Sequence, residues 1–99
     1  MTAGAWDAIA IDSRDDVAVL LRDVAAGETV RVRADGSVEQ LVAAGPVALG
    51  HEIARRAIPA GTSVRKYGEV IASATAAIPA GAHVHVHNVA SNRARAVRG

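Results

Sequence analysis

The sequence predicts an all-β domain with one short helix, and three observations support that class. A turn phrase recurs as Val24-Ala25-Ala26-Gly27-Glu28-Thr29-Val30, Ile58-Pro59-Ala60-Gly61-Thr62-Ser63-Val64 and Ile78-Pro79-Ala80-Gly81-Ala82-His83-Val84. Its last two glycines stand 20 positions apart, too few for a strand, a crossover helix and a returning strand, so antiparallel or irregular β-structure is favoured over a βαβ unit. The first interval is 34 positions, and such unequal spacing excludes a solenoid. The third observation is the period-2 alternation of His83 to Val89.

Each phrase reads as a turn feeding a strand. Proline presets φ for the second position of a turn, glycine supplies a positive φ, and the following valine starts the next pleat. Between these turns, Ala5 to Ile11 is expected as a first strand, with Trp6, Ala8 and Ala10 on one face and Ile9 and Ile11 on the other. Asp15 to Val24 is the helix candidate: Ser13 or Asp15 can cap it, Asp16 suits the positive end of its dipole, and Val17, Leu20, Leu21 and Val24 recur at helical spacing. Gly27 then stops it. Val30 to Arg33, Ser37 to Val42 and Glu52 to Arg56 are short strands separated by the turn signals Asp35-Gly36 and Gly45-Pro46. Tyr67-Gly68-Glu69 turns the chain between Val64-Arg65-Lys66 and Val70-Ile71-Ala72, and His83 to Val89 forms the final strand. The tail from Ser91 to Gly99, with Arg93, Arg95 and Arg98, is expected to be mobile unless a partner orders it.

Composition narrows the function. A chain of 99 residues is one domain and does not enclose a deep, multi-walled site by itself. Hydrophobic residues make up 51%, yet Phe is absent and Trp6 and Tyr67 are the only aromatics, so Val, Ile, Leu and Ala must build the core. Small apolar side chains bury little area at roughly 25 cal/mol per Å², which favours stabilisation by a partner or by self-association. A formal net charge of +1 offers no global attraction for nucleic acid or membrane lipid, and no aromatic side chains interleave with the terminal arginines to stack bases. With no cysteine there is no disulfide framework and no thiolate chemistry, so any metal must be held by His and carboxylate. No apolar run approaches the roughly 20 residues of a membrane span. A soluble cytoplasmic protein is expected.

The run His83-Val84-His85-Val86-His87-Asn88 is the most informative stretch. On an extended strand the three imidazoles form one row, roughly 6 to 7 Å apart, while Val84, Val86 and Val89 face the core. Two of them can converge on one metal or one anion; three on a flat strand is harder, and a bulge or a fourth ligand from another segment would help. Alternating His and Val is also what a half-exposed strand with polar outer side chains looks like. His51, after Gly50, is placed to approach from across the fold. Lys66-Tyr67-Gly68-Glu69 offers a cation, a phenol and a carboxylate on one turn, although a solvated turn whose Tyr packs on the core is the simpler reading of those residues alone. Asp12, Asp15 and Asp16 read as a helix start rather than a metal site.

Taken together, Asp16-Val17-Ala18-Val19-Leu20, Gly50-His51-Glu52-Ile53-Ala54, Lys66-Tyr67-Gly68-Glu69 with Ile71 and Ala74-Thr75, and Gly81-Ala82-His83-Val84-His85-Val86-His87-Asn88 resemble the N-terminal SAF domain of altronate and galactarate dehydratases, in the family's order. The resemblance runs from Ile9 to Asn92. It implies a β-clip fold over residues 5–92, followed by a basic tail at 93–99. It also implies a role as the small subunit of a sugar-acid dehydratase, with a large subunit and a sugar-acid substrate as partners and a divalent metal, iron(II) foremost, as the cofactor.

On the same resemblance, His85 and His87 are the expected metal ligands or acid/base pair and Asn88 a hydrogen-bond donor, with His51, Lys66, Tyr67 and His83 contacting substrate. The chain is similar as well to the alpha subunit of sulfolactate sulfo-lyase. The related antifreeze-like domain of sialic acid synthase implies a third reading, a binding or assembly module without catalysis. Exposed β-edges and a small core make a homo-oligomer reasonable in the absence of a large subunit.

Overall fold

A computed structural model describes residues 6–85 and 87–91. Its nine strands are β1 (Ala8–Ala10), β2 (Val17–Leu20), β3 (Thr29–Ala34), β4 (Ser37–Val42), β5 (Glu52–Ala54), β6 (Ser63–Lys66), β7 (Glu69–Ala74), β8 (His83–Val84) and β9 (Val89–Ser91). They form a six-stranded sheet in the order β4-β3-β1-β2-β5-β8 and a three-stranded sheet in the order β6-β7-β9. The β1–β3 pair is parallel and every other pairing is antiparallel.

Four turns, not three, share one geometry. In each, the residue after the glycine donates its N–H to the carbonyl three positions back: Glu28 to Ala25, His51 to Ala48, Thr62 to Pro59 and Ala82 to Pro79, at 3.0 to 3.2 Å. Gly27, Gly50, Gly61 and Gly81 have φ between 83° and 87°, which is the third position of a type II turn. Pro59 and Pro79 therefore occupy the first position rather than the expected second. The additional copy, Val47-Ala48-Leu49-Gly50-His51-Glu52-Ile53, lacks proline and carries a leucine where the others have alanine.

The turns are paired through their leading residues, Val24 with Val47 and Ile58 with Ile78. Each pair brackets one hairpin, β3–β4 or β6–β7, so the chain is built from two similar units. Each unit has its own apolar cluster, one around Leu20, Val30, Val32, Val47 and Ile53, the other around Val17, Ile58, Val64, Ile78 and Val84. His51 leaves the closing turn of the first unit and His83 that of the second. Pairing of β5 with β8, with Ile53 opposite His83, lays these two exits side by side.

Two expectations are corrected. The expected helix from Asp15 to Val24 is absent, and no helix occurs among the described residues. Val17 to Leu20 is instead strand β2, held between β1 and β5. Leu21, which a helical stripe would bury, is 48% exposed. Valine suits the pleat, and two flanking strands satisfy the backbone that a helix would have satisfied internally.

The expected strand from His83 to Val89 is broken into β8 and β9. Asn88 donates its backbone N–H to the His85 carbonyl at 2.9 Å, closing a turn that sends the chain from the six-stranded sheet to the three-stranded one. The first and fifth strands are also shorter than expected. The expectations for Ala5, Val86 and the terminal arginines lie outside the described residues.

Candidate functional site

Because the chain turns between β8 and β9, the histidines do not stand at strand spacing. The rings of His83 and His85 stack with centroids 4.1 Å apart, and those of His85 and His87 lie 3.6 Å apart, tilted by 57°. His51 joins the other end of the row: its Nδ1 is 3.1 Å from Nε2 of His83, with centroids 5.1 Å apart. The result is a contiguous row of four imidazoles, His51-His83-His85-His87, assembled from two turn exits and one turn.

The row separates two open depressions. One of about 390 Å³ is lined by Asp23, Val24, Pro46, Val47, Ala48, His51 and His83. The other, of about 350 Å³, has Ala76, Ala77, Ile78, Pro79, Ala82, His83, His87 and Asn88 among its lining residues.

Burial pushes the His83 pKa below the ordinary imidazole value, and His85, His51 and His87 lower it further, while Glu52 opposes them. His85 is lowered by desolvation and then by His87 and His51. At neutral pH these two rings are therefore predominantly neutral, each presenting one N–H and one proton-accepting nitrogen.

Asn88 serves the backbone of this segment. Its Oδ1 accepts the His85 N–H at 3.0 Å, and its Nδ2 donates to the His83 carbonyl at 2.8 Å. The side chain is buried, with both ends of its amide engaged, so it fixes the turn that presents the imidazoles.

Glu52, which sequence reasoning passed over, links this row to the Lys66 turn. It follows His51, and its carboxylate accepts a hydrogen bond from the Lys66 ammonium. Burial lowers the Lys66 pKa, but the hydrogen bond and charge of Glu52 more than offset it, and the net shift is upward. Lys66 is thus a standing cation, not a neutral base. Its Nζ also lies 4.9 Å from the centre of the Tyr67 ring, which is exposed rather than packed on the core.

Asp15 holds that turn from below. It is 1% exposed and accepts the backbone N–H groups of Tyr67 and Gly68 at 2.9 and 2.8 Å, together with that of Asp12 at 3.2 Å. The expected helix-start role is replaced by a clamp on a turn in which Tyr67 has φ 56°. No local sequence signal reports this clamp, because its partners are 52 and 53 positions away.

Among the described residues, no three His or acidic side chains gather where they could hold a metal ion. The pair His85 and His87 does not fit a shared ion as placed. Two imidazoles bound to one ion at about 2.1 Å and at right angles or wider keep their ring centres at least about 4.5 Å apart, against the 3.6 Å found here.

The family model for the altronate/galactarate dehydratase SAF domain matches residues 6–92. The chain is 42% identical over 84 residues to altronate dehydratase of Escherichia coli (strain K12), an alignment covering 85% of this chain and 16% of that protein. It is 39% identical over 85 residues to altronate dehydratase of Bacillus subtilis (strain 168), with the same coverages. It is also 37% identical over 62 residues to (2R)-sulfolactate sulfo-lyase subunit alpha of Paracoccus pantotrophus, covering 63% of this chain and 92% of that subunit. The chain thus spans about a sixth of the length of the two dehydratases. No described helix is long and apolar enough to cross a membrane.

Proposed function

Because this chain belongs to the altronate/galactarate dehydratase SAF-domain family, we propose that it is the small component of a hydro-lyase acting on a hydroxylated sugar acid and supplies one wall of a site that a larger component completes. The observation that carries this reading is the contiguous row of four imidazoles, of which His51, His83 and His87 line two open depressions. The dehydratases it matches are about six times as long as the matched segment.

Elimination of water from a hydroxy acid begins with a proton next to a carboxylate, and its removal requires stabilisation of the enediolate that forms. The imidazoles of His85 and His87 accept that proton at a ring nitrogen or return one to the leaving hydroxyl. Lys66 supplies fixed positive charge to a substrate carboxylate, Tyr67 an exposed hydroxyl, and His51 and His83 line the approach. Asn88 acts through the backbone it holds. As placed, His85 and His87 do not seat a shared iron(II) ion.

A sulfo-lyase component is the second reading. It is favoured by the 92% coverage of the sulfolactate sulfo-lyase alpha subunit, nearly all of which aligns with this chain. The same site serves both, since either elimination needs the same proton removed and the two differ only in the group that leaves.

The test is co-expression of this chain with candidate larger components, followed by assay of altronate, galactarate and sulfolactate. The dehydratase reading expects a 2-keto acid without sulfite, and exchange of His85 and His87 for Ala should cost about a hundredfold or more in turnover. Unchanged turnover in that double variant overturns the site assignment. Sulfite release transfers the chain to the second reading.

A further inference from the structure

We propose that His51 and His83 form a two-point seat for a divalent transition-metal ion on the surface of this chain. The inference concerns metal binding by the chain itself and does not depend on which elimination the assembled protein performs.

The geometry at this end of the row differs from that at the other. Two imidazole nitrogens bound to one ion at about 2.1 Å, with an angle between the square and the tetrahedral, stand about 3.0 to 3.4 Å apart. Nδ1 of His51 and Nε2 of His83 stand 3.1 Å apart, and their ring centres 5.1 Å apart. The ring separation is therefore wide enough for both nitrogens to face one ion, whereas the His85 and His87 rings at 3.6 Å are too close.

The seat is held by backbone that does not depend on the ion. The His51 N–H donates to Ala48 and its carbonyl accepts the Leu20 N–H. His83 lies opposite Ile53 in the β5–β8 pair. Little order remains to be imposed when an ion arrives.

Without an ion, the 3.1 Å contact is an N–H···N hydrogen bond, so one of the two facing nitrogens carries a proton. Binding requires both to be bare. The donor ring does this by shifting its proton to its own other nitrogen through solvent.

Only two positions of the ion are thereby filled by imidazole. Asp23 lines the same depression, with its Oδ1 accepting the Leu49 N–H, and the remaining positions face open space. Imidazole pairs select zinc, nickel, cobalt, copper or iron(II) over calcium and magnesium, which take oxygen ligands.

The experiment is a titration of the 99-residue chain with zinc, and separately with cobalt(II), followed by calorimetry and by the imidazole carbon-bound proton resonances. One ion per chain is expected, with His51 and His83 the first resonances shifted or broadened. His51→Gln and His83→Gln should each weaken zinc binding by about tenfold or more, while His87→Gln leaves it within about twofold. The backbone amide spectrum of each variant identifies those that keep the fold, and His51→Gln is the main probe because that side chain is exposed. Binding that survives the double variant His51→Gln/His83→Gln overturns the proposal, as does equal loss in His87→Gln or absence of binding at millimolar metal. Turnover of the reconstituted complex is measured separately, so failure of the seat and failure of the lyase reading are distinct results.

Discussion

The carboxylate of Asp15 receives the backbone N–H groups of Tyr67 and Gly68 at 2.9 and 2.8 Å, across 52 and 53 positions of sequence. Tyr67 is held there with φ 56°, a region that costs a non-glycine residue roughly 1 to 2 kcal/mol. The buried carboxylate offsets that cost by satisfying both donors of the turn. Asp15→Ala would leave them without partners, and we expect a loss of about 2 to 4 kcal/mol in urea unfolding. Asp15→Asn keeps one acceptor oxygen and should lose less. Equal stability of Asp15→Ala and the parent chain would remove the clamp from the account.

Gly27 and Gly81 occupy the same place in equivalent turns, with φ 86° and 87°. Their surroundings differ: a Cβ on Gly27 meets nothing within 4 Å, while one on Gly81 would stand 2.0 Å from the Val42 carbonyl oxygen. Gly27→Ala should therefore cost only the backbone term of roughly 1 to 2 kcal/mol. Gly81→Ala must also displace the end of β4 at Val42, next to the point where the Gly81 carbonyl accepts the Ala44 N–H, and it should lose about 3 kcal/mol or more. Thermal and urea unfolding of the two variants checks the difference. Similar losses would show that the contact at Gly81 relaxes freely.

The turns were legible because each depends on one glycine and a short local hydrogen bond, and the all-β class followed from them. The copy at Gly50 is less legible because Leu49 stands where the other three have alanine. Val17, Leu20, Leu21 and Val24 fit a helix as well as a strand when read alone. Only the pairing of β2 with β1 and β5 decides between the two, and that pairing is not local. The same holds at the site. The alternating histidines were visible, but their compression into a row depends on Asn88 closing a turn, and the meeting of His51 with His83 depends on β5 finding β8.

Acid should release another buried carboxylate. Asp7 is 5% exposed, and desolvation pushes its pKa up; hydrogen bonds from the Arg31 backbone and side chain and from Arg22 outweigh this and bring it from 3.8 to about 2. A folded-state pKa below the unfolded one stabilises the fold above the unfolded value, and that contribution is lost as pH falls from near 3.8 toward about 2. Asp7→Asn should flatten this part of the stability profile, measured by urea unfolding between about pH 5 and about pH 2. A parent profile that is level across that range, or a variant profile as steep as the parent's, would exclude Asp7 as the source.

Asn88 separates a structural role in the turn from direct action on a substrate. Its Oδ1 and Nδ2 both engage backbone, on His85 and His83, and it is 8% exposed. Asn88→Asp retains the acceptor for the His85 N–H but loses the donor to the His83 carbonyl and sets two acceptors against each other. Asn88→Ala loses both bonds. Each variant should be destabilised by about 1 to 3 kcal/mol, and each should weaken the cross-relaxation between the His83 and His85 rings, now stacked at 4.1 Å. The His51 to His83 contact should persist in the Ala variant, because β5–β8 pairing and the Gly50 turn hold it independently of the Asn88 side chain. Loss of both ring contacts together would mean that Asn88 organises the whole row; retention of both would mean that the backbone turn alone is sufficient.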